Sequence, residues 1–142
     1  MTFAAETKVP ISRTQEEIRK LIVEKHRGSH YGMMEEPNQV HVVFRLVERN
    51  IRFTLPMPAR PQRPAEIARH EKLLRSRWRA LLLVIKAKLE SVESKIETFE
   101  EAFFAHVVMP GGETVYEQLK EPLRLRYQDN SNIPLLAPPK GN

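Results

Sequence analysis

Five histidines, His26, His30, His41, His70 and His106, are the side chains in this sequence best suited to hold a metal or move a proton. His26 and His30 stand four apart, the spacing that puts two ligands on one helix face. Gly28 lies between them and breaks the helix such a pair needs. His70-Glu71 does not continue into a His-Glu-x-x-His zinc motif, and with no cysteine the sequence excludes disulfides, thiolate metal sites and thiol nucleophiles. Ser76, Ser91 and Ser94 fall inside a helical pattern rather than in a Gly-x-Ser-x-Gly elbow. Only five glycines occur, none in a phosphate-cradling loop. These patterns predict no enzyme, no cofactor and no metal. A phosphoesterase built on His41, His70 or His106 is the only catalytic alternative.

The cations carry more information. The formal charge is +5, and its distribution is uneven. From Arg69 to Lys88 seven cations face one acid, whereas from Glu90 to Glu101 five acids face one cation. A helix over this segment has a positive and a negative end, which suits a solvated face or antiparallel pairing of opposite ends. On a helical period Lys72, Arg75, Arg79 and Lys86 share one flank, with Trp78 at the edge of the apolar stripe. Guanidinium groups bind phosphates bidentately, and an indole beside them stacks on a base. The competing reading makes Trp78 a core residue and pairs the arginines with acids. If that flank lies near Arg45 and Arg52, one cationic surface results.

The elements that must position these groups follow from periodicity. Val40, Val42, Phe44 and Leu46 alternate, as do Ile51, Phe53 and Leu55 after a polar break at Glu48-Arg49-Asn50, which predicts an antiparallel hairpin over about 40–55. Keeping both apolar sets on one face sets Leu46 opposite either Phe53 or Ile51 and excludes the one-residue slip that would bury Arg52. His41, Arg45, Arg52 and Thr54 then share the reverse face. Tyr31 to Met34 supplies a third strand before a Pro37-Asn38 turn. Ser12 and Thr14 are candidate N-caps for an amphipathic helix over about 14–26.

Pro56, Pro58, Pro61 and Pro64, with Arg60 and Arg63 between them, form an extended connector over 56–64. Beyond it Leu74, Trp78, Leu81, Ile85, Leu89, Val92, Ile96, Phe99 and Phe103 recur at spacings of three and four, predicting one long helix over about 65–97. Leu82, Leu83 and Val84 widen its apolar face where it is expected to cross the sheet. From Ala65 to Ile96 this helix measures about 48 Å, against a diameter of about 29 Å for a domain of this length. The excess predicts a homo-oligomer formed through the long helix. Thr98 with Glu101 either makes a capping box that starts a new helix or lies within one unbroken to His106. Val107 to Gly112 reads as an extended segment closing in a Gly turn, and Thr114 with Glu117 caps a last helix through about Lys120, before Pro122. The expected architecture is a single α+β domain over 1–128. In it a small antiparallel sheet packs against an N-terminal helix and the long helix, shorter C-terminal helices follow, and 129–142 form an irregular tail.

From Arg77 to Glu93, and again from Thr98 to His106, the chain resembles a family of small uncharacterised proteins of bacteriophages, prophages and other mobile elements. The likeness extends more loosely to Phe44-Arg45, Arg52-Phe53-x-Leu55-Pro56 and Gly112-x-Thr114-Val115. That family has no assigned activity, so the resemblance implies a setting, a mobile-element accessory role, and no functional residues. The longest apolar run, Ala80 to Ile85, is far too short to cross a bilayer, and the N-terminus lacks the charged-then-apolar order of a signal peptide. A cytoplasmic protein is expected, in the host cytoplasm if phage-encoded, with no membrane partner. The leading functional expectation is a non-enzymatic binder of single-stranded nucleic acid or a nucleotide, held by Arg45, Arg52, Lys72, Arg75, Arg79 and Lys86 with stacking on Trp78. The alternative is a protein-interaction module, an inhibitor or adaptor of a host or phage protein with a counter-defence role.

Overall fold

Three strands, β1 (Ser29–Glu36), β2 (Gln39–Leu46) and β3 (Arg49–Pro56), run antiparallel in that order in the computed structural model, which describes residues 4–136. Along the central strand Val40, Val42, Phe44 and Leu46 are buried and the residues between them are not, because a period of two sends alternate side chains to opposite faces. Ile51 and Phe53 of β3 join the same buried face. The α+β class, the hairpin and the third strand agree with the sequence pattern.

The hairpin register does not. Leu46 pairs with Arg49, Phe44 with Ile51 and Val42 with Phe53, so the two-residue turn is Val47-Glu48, earlier than either expected register placed it. Both turn residues have positive φ, 49° and 61°, the conformations of a type I′ turn, whose twist matches that of the flanking strands. A β-branched residue is a poor occupant of that region, which is why Val47 reads in the sequence as a strand residue. The side-chain parity is nevertheless the expected one, and Arg52 stays off the core face.

The first helix, α1 (Ile11–Arg19), starts earlier than the capping pattern suggested. Pro10 precedes it without a side-chain cap, and Thr14 is buried inside it with an unpartnered hydroxyl. It continues as a π-helical turn over Lys20–Lys25, where the His26 N–H reaches five residues back to the Leu21 carbonyl at 3.2 Å. Gly28 then donates to the Ile22 carbonyl at 2.8 Å, and a Cβ there would lie 2.8 Å from Ile22 Cγ2. Only glycine permits that approach.

Pro64–Glu66 forms a 3₁₀ turn leading into α2 (Ile67–Glu93), a 27-residue helix about 40 Å long. It ends short of the expected 97. Lys95 adopts φ 61°, its N–H donates to the Val92 carbonyl at 3.1 Å, and Ile96 donates to that of Ser91 at 3.0 Å. This is a Schellman ending with lysine where glycine is usual, so no stop signal is visible in the sequence. Thr98 and Glu101 form a complete capping box, and a new short helix, α3 (Phe99–Phe103), begins there.

Trp78, Leu81, Leu82, Ile85 and Leu89 of α2 join Ile18 and Ile22 in one core with the sheet's inner face. Leu83 and Val84, expected against the sheet, are 38% and 45% exposed, and Ile96 at 77% leaves the stripe altogether. Phe103 closes the core: fully buried, it meets Phe44 and Phe53 edge-on, with centroids 6.4 and 6.3 Å away, and stacks on Phe99 at 4.6 Å. Lys88 ties α2 to α3 by donating to the Ala102 carbonyl at 2.9 Å.

A 3₁₀ turn over Phe104–His106 leads to Val107, which bridges Ile51, and Val108, which bridges Thr114 around a turn at Gly112. The last helix, α4 (Val115–Asp129), has the expected Thr114–Glu117 capping box but runs well past Lys120. Pro122 sits inside it at the cost of one backbone bond. The stop is Asn130, left-handed at φ 51°, with Ser131 donating to the Arg126 carbonyl at 3.1 Å. The irregular stretch therefore begins at 131 rather than 129, because Asp129 closes the helix and Asn130 caps it; it runs to 136, and 137–142 of the expected tail lie outside the described residues.

Two measurements check this packing. Replacing Val47-Glu48 by Asn-Gly removes left-handed strain and should stabilise the protein by about 1–2 kcal/mol in urea titration. Phe103→Ala should cost about 3–5 kcal/mol, because the aromatic cluster cannot collapse around the void.

Candidate functional site

Two separate faces receive the cations, and this separates the residues the sequence grouped. Arg45 and Arg52 alternate with Phe44, Leu46, Ile51 and Phe53 on their strands, so they project from the face opposite the one α2 covers. The helix flank of Lys72, Arg75, Arg79 and Lys86 therefore does not merge with them into one surface. Trp78 is 3% exposed within the core, so its indole has no face to offer a base.

The sheet's reverse face opens into a cleft of about 550 Å³ lined by Gln39, His41, Arg52, Thr54, His106 and Tyr116, among others. Arg52 is held there structurally. It donates to the Gly112 carbonyl at 2.9 Å and pairs with Glu117 at 2.5 Å, fastening the start of α4 to β3. The Thr114 backbone N–H and the Arg52 guanidinium hold the Glu117 carboxyl below the usual carboxylate range. Arg45 reaches only Asn50, at 3.3 Å.

Glu36, His41 and Thr54 form a line across the strands, with His41 Nε2 3.4 Å from Glu36 and Nδ1 2.9 Å from the Thr54 hydroxyl. The order suggests a relay to a nucleophile. However, His41 and Thr54 face each other across the β2–β3 ladder, and the neighbouring Arg52 already has its partners. The line is a cross-strand polar pair with an acid at its end. His106 lies against Phe53 with centroids 4.0 Å apart, and burial, reinforced by Lys88, pushes its imidazole below the usual range. His70 lies at the leading end of α2, in the groove beside the proline connector. Among the described residues no three metal-ligating side chains converge.

On α2 the predicted flank is divided: Arg75 and Arg79 are half-buried, whereas Lys72 and Lys86 are exposed. Arg79 pairs with Glu17 of α1 at 2.9 Å, and Arg75 is half-buried with its Nε unpartnered. Lys72 is exposed within 3.3 Å of Glu6. Lys86 is exposed and lines a cleft that also contains Glu90 and Glu93. Two of these contacts come from the N-terminal part of the chain, Glu17 of α1 meeting Arg79 and Glu6, ahead of α1, meeting Lys72.

Other arginines are free of such pairing. Among the described residues Arg27, Arg45, Arg60, Arg63, Arg69, Arg75, Arg77 and Arg126 make no salt bridge. Arg60, Arg63 and Arg69 line one open groove of about 590 Å³ with His70, where the proline connector runs beside the first turns of α2. Glu66 is the only acid lining it. The sequence held a signal for this site, arginines spaced between prolines that keep the backbone extended and solvated. What it lacked was the juxtaposition of that connector with Arg69 and His70.

Comparison with protein-family models, curated proteins and solved structures finds no match to this chain. No helix among the described residues is long and apolar enough to cross a membrane.

The buried imidazole makes a checkable statement about pH. The folded state resists protonating His106, so the unfolded chain binds that proton first as pH falls below about 6.5. Its contribution is whole above that pH and lost as pH drops through the lower folded value. Urea midpoints measured at pH 7 and pH 5 should differ less in His106→Gln than in the parent.

Proposed function

We propose that this protein is a non-enzymatic nucleic-acid-binding protein that grips the phosphate backbone with its proline connector and the leading end of α2. The observation that carries this reading is the groove just described, in which Arg60, Arg63 and Arg69 face water without acid partners. Elsewhere arginines such as Arg19, Arg49, Arg52 and Arg79 are tied to glutamates. Guanidinium groups held along an extended segment match the spaced charges of a phosphodiester chain. With Trp78 in the core, the contact is to backbone rather than to bases, and binding is indifferent to sequence. A nucleotide alone would engage fewer of these cations. The mobile-element setting implied by the resemblance of residues 77–106 belongs to this reading, as does a location in the cytoplasm.

A second reading rests on α4. This helix packs chiefly against the Phe104–His106 turn and exposes Leu123, Leu125 and Tyr127, a surface suited to a protein partner. An inhibitor or adaptor would use it, leaving the arginine groove without a role.

Fluorescence anisotropy with labelled single- and double-stranded oligonucleotides across a salt series separates them. Binding should weaken steeply with salt, with a log–log slope of about 0.7 per neutralised phosphate for single strands or about 0.9 for duplex. Arg60→Glu combined with Arg63→Glu, both at exposed connector positions, should abolish binding and leave the urea midpoint unchanged. Equal affinity in that double variant, or no binding by the parent at low salt, removes the proposal.

A further inference from the structure

The side of α2 turned away from the sheet carries a second pattern, distinct from its buried stripe. Leu73, Ser76, Ala80, Leu83 and Ala87 follow one another at intervals of three, four, three and four, the seam spacing of a coiled coil. Arg69 precedes this run by four residues and Glu90 follows it by three, so the seam has a cation at one end and an acid at the other. Leu73 and Leu83 are 41% and 38% exposed, and Val84 beside them is 45% exposed. Arg69, Ala87 and Glu90 are exposed, while Ser76 and Ala80 are half-buried. The elements that pack on α2 use its other sides: the sheet and Phe103 take Trp78, Leu81, Ile85 and Leu89, α1 takes Arg79, and α3 takes Lys88. This outer edge therefore has no partner within the described residues.

We propose that the edge pairs with the same edge of a second copy, the two helices running antiparallel about Ala80. In that arrangement each large side chain meets a small one. Leu73 faces the partner's Ala87, Leu83 faces the partner's Ser76, and Ala80 faces the partner's Ala80. Small residues at the centre let two helix backbones approach closely, and leucines on either side fill the space that opens toward the ends. The same reversal puts Arg69 opposite the partner's Glu90 at both ends of a seam about 32 Å long. A parallel pair would oppose Arg69 to Arg69 and Glu90 to Glu90, so charge selects the antiparallel sense. Glu90, unfavourable against the helix's own macrodipole, acquires an explanation: it is the counter-charge to the partner's Arg69.

This interface adjoins the nucleic-acid groove, with which it shares Arg69 and Leu73, whereas Arg60 and Arg63 belong to the connector alone, so Arg60→Glu with Arg63→Glu tests the groove and Leu83→Glu the seam. It also differs in origin from the self-association expected from the sequence, which relied on a stripe that the fold consumes internally.

Sedimentation equilibrium over a range of protein concentrations should show a reversible dimer. Leu83→Glu, at an exposed position, should return it to monomer while preserving the circular dichroism spectrum. Arg69→Glu should weaken the dimer, and adding Glu90→Arg should restore it. Because the chain has no cysteine, single Cys variants report geometry without background. Under a short bis-maleimide Ala80→Cys should cross-link to itself, and Leu73→Cys mixed with Ala87→Cys should give the mixed dimer far more than either gives alone. A parent that stays monomeric at its highest soluble concentration, a dimer insensitive to Leu83→Glu, failure of the charge swap to rescue, or self-linking of Leu73→Cys in preference to the mixed pair each overturns the proposal.

Discussion

A three-stranded sheet with one apolar face is unstable until that face is covered, and everything else in this molecule is arranged around the covering. Val40, Val42, Phe44, Leu46, Ile51 and Phe53 are brought to one side by strand alternation, and the sheet is too narrow to curl upon itself. One long helix supplies most of the lid through Trp78, Leu81, Leu82, Ile85 and Leu89. Phe103 completes it from a separate short helix, edge-on to both Phe44 and Phe53, a geometry that suits the electrostatics of aromatic rings. The Schellman ending at Lys95 and the capping box at Thr98 turn the chain so that Phe103 arrives there.

The covering also sorts the charges. Whatever lies against the lid must neutralise the cations beside the apolar stripe, and Glu17 does so for Arg79. On the far side of the sheet Arg52 is consumed in anchoring α4, through Gly112 and Glu117. Three of the arginines left unpaired, Arg60, Arg63 and Arg69, gather along the proline connector and the first turn of α2. Positive charge concentrated in this way raises the local electrostatic potential, and no carboxylate stands against it within ion-pair distance. The outer edge of α2 is the corresponding apolar remainder, uncovered because a monomer has only one sheet to offer.

Much of this was legible before any coordinates. Period-two alternation marked β2 and β3, and the three-and-four spacing marked α2. The Thr-x-x-Glu pair at Thr114 located one helix start to the residue, and that at Thr98 offered a second beside an unbroken helix, because a capping box is a local interaction whose partners lie within one turn. Helix ends and the hairpin turn were less legible. Lys95 and Val47 adopt left-handed conformations that their side chains do not advertise, whereas Asn130 was a readable stop that an emphasis on Pro122 obscured. Among the site residues the failure had one cause. Lys72, Arg75, Arg79 and Lys86 do share a helix flank, but a wheel does not say which neighbour packs against it.

The linear order of residues thus dictated whatever depends on neighbours within a turn or a strand: the kinds of element, the faces they bury, the caps, and the positive-to-negative switch along α2. Folding settled which of those faces meet. It put the sheet's arginines and the helix's arginines on opposite sides of one core, withdrew Trp78 from solvent, and brought Arg60 and Arg63 beside Arg69 and His70. The reason is physical. Local conformational preference acts over a few residues, whereas the exposure and pairing of a charge depend on elements dozens of positions away, as Glu17 and Arg79 or Arg52 and Glu117 illustrate.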